Sequence, residues 1–566
     1  MWRVLSRLSH QAFRATATGG GIVIQRDNAF LSPAIRAAMG ATTSFRLGRF
    51  LDDIGPFKTF ALDYQRDQVD GAIGIDGRIG ASWRYSAYYN HGEYRTRSKT
   101  FNQTITANFN NAVDAITSPT TGLPICRVAL TDPNTACRPL NLLGQNNASD
   151  DAIAYAFGAA LSINRILLDS AGASLRGDLF STWAGPVSLA TGVEARWESI
   201  VTDYIDPLSQ ARAFGFDNRT RLNGGFNVKE GFVELAVPLL NAEGVATIDV
   251  NGAARYSDYS NSGGIWSWKV GGTVRLFDDI RLRAVYSRDI RSPNISELYS
   301  DMVLGVGSVA DPFNGNNAVT YRRYTGGNPD LQPEIGHTLT LGGSWTPAAV
   351  PGLSLSVDAY RIDIDGVIGT ITLADALAQC FAGSAVACST IQRQPDGTIL
   401  AFGNFQNLAF YKTRGVDFEI GYRLPVTTAD LDGAIRFRLL GTYVDKFIVN
   451  NGVTTLDRVG DIGNAAFAVP WRFTATVGWE GGDFSADARV RYVGRGYQDR
   501  TLPIINNRIA PRAYLDLSAQ YRIGDAFSIY ANINNVFDRD PPLSSVSPIF
   551  HDSIGRYFSG GVRLNF

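Results

Sequence analysis

Methionine, cysteine and histidine are scarce, at 3, 4 and 4 of 566 residues, which leaves little room for a multi-zinc protein. Charge is thin as well: Asp, Glu, Lys and Arg make up 19% of the chain, against roughly 25% in an ordinary soluble protein. It is also balanced, with 52 Lys+Arg against 53 Asp+Glu, so no excess exists to neutralise phosphates and a basic nucleic-acid binder is excluded. No run approaches the roughly 18 apolar residues of a membrane-spanning helix. A membrane β-barrel is not excluded by that, because it carries its apolar surface on alternate residues. Residues 1–10, Met-Trp-Arg-Val-Leu-Ser-Arg-Leu-Ser-His, have no apolar core of about 7–15 residues and no small-residue cleavage site, so no export signal is recognisable there.

Catalytic signatures are missing too. There is no Gly-x-Ser-x-Gly elbow and no phosphate-binding P-loop. His10, His91, His337 and His551 are scattered, without a nearby nucleophile or carboxylate set. Asp363 and Asp365 stand at strand spacing, and a solvated strand end explains them better than a paired-carboxylate site does. A non-enzymatic chain without a cofactor or metal is expected.

Glycine and aromatic residues are abundant: 58 Gly, 31 Phe, 23 Tyr and 9 Trp. A disordered chain would be poor in aromatics. The pattern is period two. Phe558, Gly560, Val562, Leu564 and Phe566 alternate with Tyr557, Ser559, Gly561, Arg563 and Asn565. Trp471, Phe473, Ala475, Val477 and Trp479 alternate with Arg472, Thr474, Thr476 and Gly478. A helix would smear such a pattern around its circumference, so these segments are strands. One polar face alone also fits a water-soluble antiparallel sheet. Two further features favour a barrel: aromatics at strand ends, as in the girdles of outer-membrane barrels, and a strict alternation of short and long connections. Short turns are expected at 76–78, 241–244, 277–279, 480–483 and 524–526, where Gly or Asp suits a tight hairpin. Long connections are expected at about 99–160, 204–226, 291–334, 366–405 and 538–553. Counting back from Phe566 gives about eighteen strands, the first ending near 21–27. A phase slip near Tyr360 and Arg361 suggests a β-bulge. The expected class is an all-β, transmembrane, antiparallel up-and-down barrel.

Several segments then carry a resemblance. Ser287-Arg288-Asp289-Ile290-Arg291-Ser292-Pro293-Asn294-Ile295-Ser296-Glu297-Leu298-Tyr299 resembles the mid-barrel motif of TonB-dependent outer-membrane receptors. Gly327-Asn328-Pro329-Asp330-Leu331-Gln332-Pro333-Glu334 is similar to its companion motif, and Asn534-Asn535-Val536-Phe537-Asp538 to the family's penultimate strand end. The final strand, with Phe558, Val562, Leu564 and Phe566, resembles the outer-membrane assembly signal; a plain interfacial anchor is the simpler account. The resemblance spans residues 20–566 and sets 1–19 apart as a non-barrel segment.

The resemblance implies active uptake of a scarce, large solute, siderophore-type by default, with carbohydrate or cobalamin-like ligands as alternatives. The implied partners are outer-membrane lipid, TonB, the barrel-assembly machinery and a small-molecule ligand. Family barrels have 22 strands around a plug, so a truncated receptor is expected, lacking the plug, the TonB-contact segment and about four strands. A passive porin-like barrel and a non-functional fragment are the alternatives. Pro293 pushes Ser292 to extended geometry, and rim folding accounts for Asn294, Glu297, Asn328, Asp330, Gln332 and Glu334 better than ligand contact. Loop residues Phe214, Phe216, Tyr321 and Tyr324, with Arg322 and Arg323, are candidate ligand contacts or loop core. Cys126/Cys137 and Cys380/Cys388 fall as two short pairs in polar loops, too widely spaced for zinc, and are disulfide candidates in an oxidising compartment.

Overall fold

The computed structural model describes residues 2–10, 22–48, 51, 60–215, 217–428, 432–452, 454–463, 467–500, 505–524, 526–542 and 549–564. One antiparallel sheet of nineteen strands dominates. Leaving aside the short Thr455–Asp457 strand, it is an up-and-down meander in chain order, from Trp2–His10 and Phe60–Ile79 to Phe527–Asn534 and Tyr557–Leu564. Its strands are long: Phe157–Thr182 has 26 residues and Trp83–Thr104 has 22, well beyond the 9–11 or so that cross a bilayer.

The meander departs from the expected count at its start. Ile22–Gln25 is not a strand of the large sheet. It pairs with Ser44–Leu47 in a separate hairpin, and Ile22 and Ile24 are buried in a loop cluster. Alternation identifies a strand, but not the sheet it joins. The neighbour of Phe60–Ile79 is instead Trp2–His10, in register from Trp2↔Gln68 to His10↔Phe60. Backbone from the segment expected to stand apart therefore caps an open strand edge, whose amide and carbonyl groups need partners. The first hairpin turn also lies later than expected. Residues 76–78 continue the strand, and the chain reverses after Ile79, where Gly80 takes φ +64°.

Burial is inverted relative to a water-soluble sheet. Trp266, Val270, Leu341, Val357, Val477 and Val562 are each about half exposed, although they occupy the apolar face of their strands. A soluble sandwich would bury that face. The large buried clusters lie in the caps instead. Residues 105–156, between the Trp83–Thr104 and Phe157–Thr182 strands, pack Phe109, Val113, Leu140 and Leu142 against Ile22, Ile24 and Leu31. The Cys126–Cys137 disulfide lies in this cluster. A second cap is a four-stranded sheet of Val303–Asp311, Asn317–Thr325, Ile399–Phe402 and Ile391–Arg393. It packs on Leu373 and Leu377 of a helix that ends beside the Cys380–Cys388 disulfide.

The bulge expected at Tyr360–Arg361 is absent. Leu353–Gly369 stays in register with Glu334–Trp345 from Trp345↔Leu355 to Ile335↔Asp365, and the register shifts only near Gly366. The change of phase has another cause. Leu355, Val357 and Ala359 face outward, and above them the same face carries Arg361 and Asp363, 2.8 Å apart. Tyr360 and Ile362 share the opposite face, which lines an inner chamber. The strand leaves its apolar band near residue 360, and polarity swaps sides without a kink.

Candidate functional site

The two family-like motifs form a single clamp. Ile280–Arg291 ends where Arg291 donates from Nε to Glu334 Oε2 at 2.8 Å and from Nη2 to Glu334 Oε1 at 2.5 Å. Its Nη1 donates to Glu297 Oε2 at 3.0 Å. Pro293 breaks the strand, and Asn294 caps the short Ile295–Tyr299 helix. The Asn294 side chain accepts from the Glu297 amide, and the Glu297 carboxylate accepts from the Asn294 amide. This reciprocal box satisfies two amides that a helix start leaves open. Leu298 and Leu331 are then buried together against Phe226, Val228 and Tyr259.

The second motif closes the clamp. The Asn328 amide donates to the Glu297 carbonyl, its side chain donates to the Phe405 carbonyl, and its Oδ1 accepts from the Asp330 amide. Gln332 exchanges two hydrogen bonds with Asn407, which also donates to the Gly366 carbonyl. Glu334 Oε1 accepts the Ile368 amide at 2.8 Å. Pro329 and Pro333 hold the segment extended between these anchors. Arg288 lies on the outer face and donates to the Trp266 carbonyl. The polar atoms of Asn294, Glu297, Asn328 and Glu334 are thus committed to the fold of the rim.

The loop candidates divide. Phe214 is 3% exposed and packs beside Ile105, as loop core. Phe216 lies outside the described residues. Tyr321 packs on the Leu377–Ile399 cluster, Arg323 donates to the Ile371 carbonyl, and Tyr324 stacks on Phe402 with ring centres 5.8 Å apart. Burial lowers the pKa of Arg323. Among the described residues of this group Arg322 alone is open to solvent. Asp311, fully buried, receives both Arg393 Nη groups, with Nη2 at 2.9 Å from Oδ1, and Arg393 holds its carboxyl below the usual carboxylate range. The outer sheet is therefore a folded platform. In the last strand Phe558, Val562 and Leu564 are exposed on one face; Phe566 lies outside the described residues. No group of three or more metal-ligating side chains occurs among the described residues.

A chamber of about 570 Å³ was not foreseen from the sequence. Its wall is built from inward residues of neighbouring strands: Thr340, Asp358, Tyr360, Thr413, Asp417 and Arg472. Its roof comes from loops, with Phe467 and Phe550. Asp358 is neutralised by Arg283, and Asp417 accepts from Thr442 at 2.7 Å. Arg472 is exposed to the chamber and has no ion-pair partner among the described residues. Phe467 lies 5.9 Å from Phe447, and Arg458 stands over its ring at 4.7 Å. The size and the mix of apolar walls with a few charges suit a small-molecule site.

The family described as "TonB dependent receptor-like, beta-barrel" matches residues 24–536. The chain belongs to that family. Family barrels reside in the outer membrane, which is consistent with the outward apolar face. No described helix is long and apolar enough to cross a membrane. Among solved structures, the chain is similar to a mutant of the ferric enterobactin receptor PfeA from Pseudomonas aeruginosa, with TM-score 0.59 and 16% identity, over 100% of this chain and 66% of that one. It is similar to the siderophore receptor PirA from Acinetobacter baumannii, with TM-score 0.56 and 14% identity, over 90% of this chain and 63% of that one. It is also similar to the ferric-catecholate import receptor Fiu from E. coli K12, with TM-score 0.52 and 14% identity, over 100% of this chain and 71% of that one. At these identities the likeness is one of fold. The chain spans less than two thirds of the length of the PfeA and PirA chains. A search of curated proteins returned no match.

Proposed function

We propose that this receptor-family barrel sits in the outer membrane and serves TonB-driven uptake of a scarce, large, anionic solute of the ferric-siderophore class. The observation that carries the reading is the inner chamber, where Arg472 has no ion-pair partner among the described residues and stands among aromatic walls. The Asp417 carboxylate lines the same chamber, so the attraction is local: a guanidinium without an ion-pair partner in a partly enclosed cavity attracts an anionic group more strongly than it would in bulk water. Ring faces at Tyr360, Phe447 and Phe467 suit the flat aryl groups of a catecholate. The neighbours named as siderophore receptors support the solute class. Neutral carbohydrate would leave Arg472 without a charged partner, which ranks it lower.

Uptake of a radiolabelled ferric catecholate by cells lacking their own receptors, with and without TonB, tests this. Accumulation that requires both this chain and TonB supports the proposal. Accumulation independent of TonB, or a steady open conductance in planar bilayers, points to a passive barrel.

A further inference from the structure

One cross-strand row runs along the chamber wall. On six neighbouring strands it reads Arg283, Gly342, Asp358, Asp417, Thr442 and Arg472. Two cations and two carboxylates balance in number, but only one pair is made. Arg283 donates to Asp358 at 2.7 Å across Gly342. Asp417 accepts from the Thr442 hydroxyl at 2.7 Å and has no ion-pair partner among the described residues. Arg472 has none either. Thr442 stands between the two in the row, which sets them two strands apart, roughly 10 Å from backbone to backbone. Both are exposed and line the chamber. The wall therefore holds a carboxylate and a guanidinium apart, each without an opposite charge.

The surroundings of Asp417 suit a cation. Tyr360 and Gly415 form the cross-strand pair next above Asp358 and Asp417. A Cβ at Gly415 would fall 2.6 Å from the Tyr360 hydroxyl oxygen and 2.8 Å from Cζ, so the phenol ring lies across the glycine, on the Asp417 strand. A carboxylate pairs strongly with an ammonium or guanidinium, and a neighbouring ring face adds cation–π attraction. A ligand that is only anionic would meet Arg472 favourably but would also bring negative charge toward Asp417. In a partly enclosed cavity that repulsion is larger than in water. A ligand with a cation at the second position removes the repulsion and gains an ion pair.

We infer that the solute of this chamber is a net-anionic chelate that also carries a cationic group, an ammonium or guanidinium set roughly 10 Å from its acidic group, and that Asp417 selects for it. The inference rests on the anionic-solute reading above and narrows it to a class of mixed charge.

The test titrates the full chain in neutral detergent with two ferric tris-catecholates of one scaffold, following tryptophan fluorescence. One carries a free primary amine; in the other that amine is acetylated. Arg472 alone would favour the acetylated form, which is the more anionic. The amine form is nevertheless expected to bind about tenfold more tightly. Asp417→Asn, which keeps the side-chain shape and an acceptor for Thr442, is expected to abolish or reverse that preference. Equal wild-type affinity for the two forms, tighter binding of the acetylated form, or a preference that survives Asp417→Asn overturns the inference while the anionic reading stands. Saturable binding of neither form overturns both. If the Asn variant does not fold, the wild-type comparison decides, since its sign separates Asp417 from Arg472.

Discussion

The guanidinium of Arg283 reaches across Gly342 to the carboxylate of Asp358, with Nε 2.7 Å from Oδ1. The three residues lie in one cross-strand row on three successive strands. A Cβ at position 342 would fall 1.9 Å from Asp358 Oδ1 and 2.8 Å from Arg283 Nε. The glycine is therefore a seat for the ion pair. Gly342→Val is expected to drive the pair apart and destabilise the barrel by about 1–3 kcal/mol, read as a lower temperature for loss of the compact, heat-modifiable form on gels. Unchanged heat stability would contradict this role.

The rim clamp predicts strong coupling between Arg291 and Glu334. Removing either partner leaves a partly buried charge, whereas removing both removes the mismatch. Arg291→Met and Glu334→Gln should each increase proteolytic nicking within 292–333. The double change should cost less than the sum of the two, by about 1–3 kcal/mol. Strict additivity would mean that the pair does not act as a unit.

Asp311 and Arg393 pin the outer sheet. Because Arg393 holds the Asp311 carboxyl down, the stability of this pair is present above the ordinary carboxylate value of 3.8 and is lost as pH falls from there through the lowered folded value. Arg393→Ala should remove that acid-side dependence and loosen the sheet by about 2–3 kcal/mol at neutral pH. Hydrogen exchange of the 303–325 hairpin amides measures both effects.

His551 gives the opposite end of the pH scale something to read. It is 4% exposed, neither ring nitrogen has a hydrogen-bond partner among the described residues, and burial pushes its pKa below 6.5. The unfolded loop binds the proton more readily, so docking of 549–552 is complete above the ordinary value and weakens as pH falls below 6.5. Since Phe550 roofs the chamber, acidification should open it. A quencher titration of a label on the loop checks this, and His551→Phe should flatten the response.

Both disulfides staple caps outside the sheet. Reduction should loosen residues 105–156 by about 2–3 kcal/mol for a loop of this length and leave the strands protected. Mass-resolved hydrogen exchange with and without reductant separates the two regions.

Much of the meander was legible because strand alternation is local. Turns such as Phe277–Asp279 also announce themselves within a few residues, and Asn294 and Glu297 read as rim-folding residues without their capping box being foreseen. Other features depend on register. That Gly342 seats an ion pair follows only when strands 75 residues apart in sequence are aligned. The chamber gathers Thr340, Asp417, Arg472 and Phe550 from distant segments, so no window of sequence contains it. Ile362 and Ile364 looked like a slipped register because one pattern was assumed for the whole strand, whereas its upper part leaves the apolar band. Ile22 and Ile24 alternate as well as any barrel strand, and only their partner, Ser44–Leu47, shows that they belong to a cap.

The central claim is that the inner chamber holds an anionic solute through Arg472. Its direct test is the equilibrium affinity of the full, folded chain for a ferric catecholate, compared between the wild type and Arg472→Ala. The account predicts saturable wild-type binding that weakens at least tenfold in the variant, with heat stability unchanged. Equal affinity in the two proteins, or no saturable binding by the wild type, would contradict it.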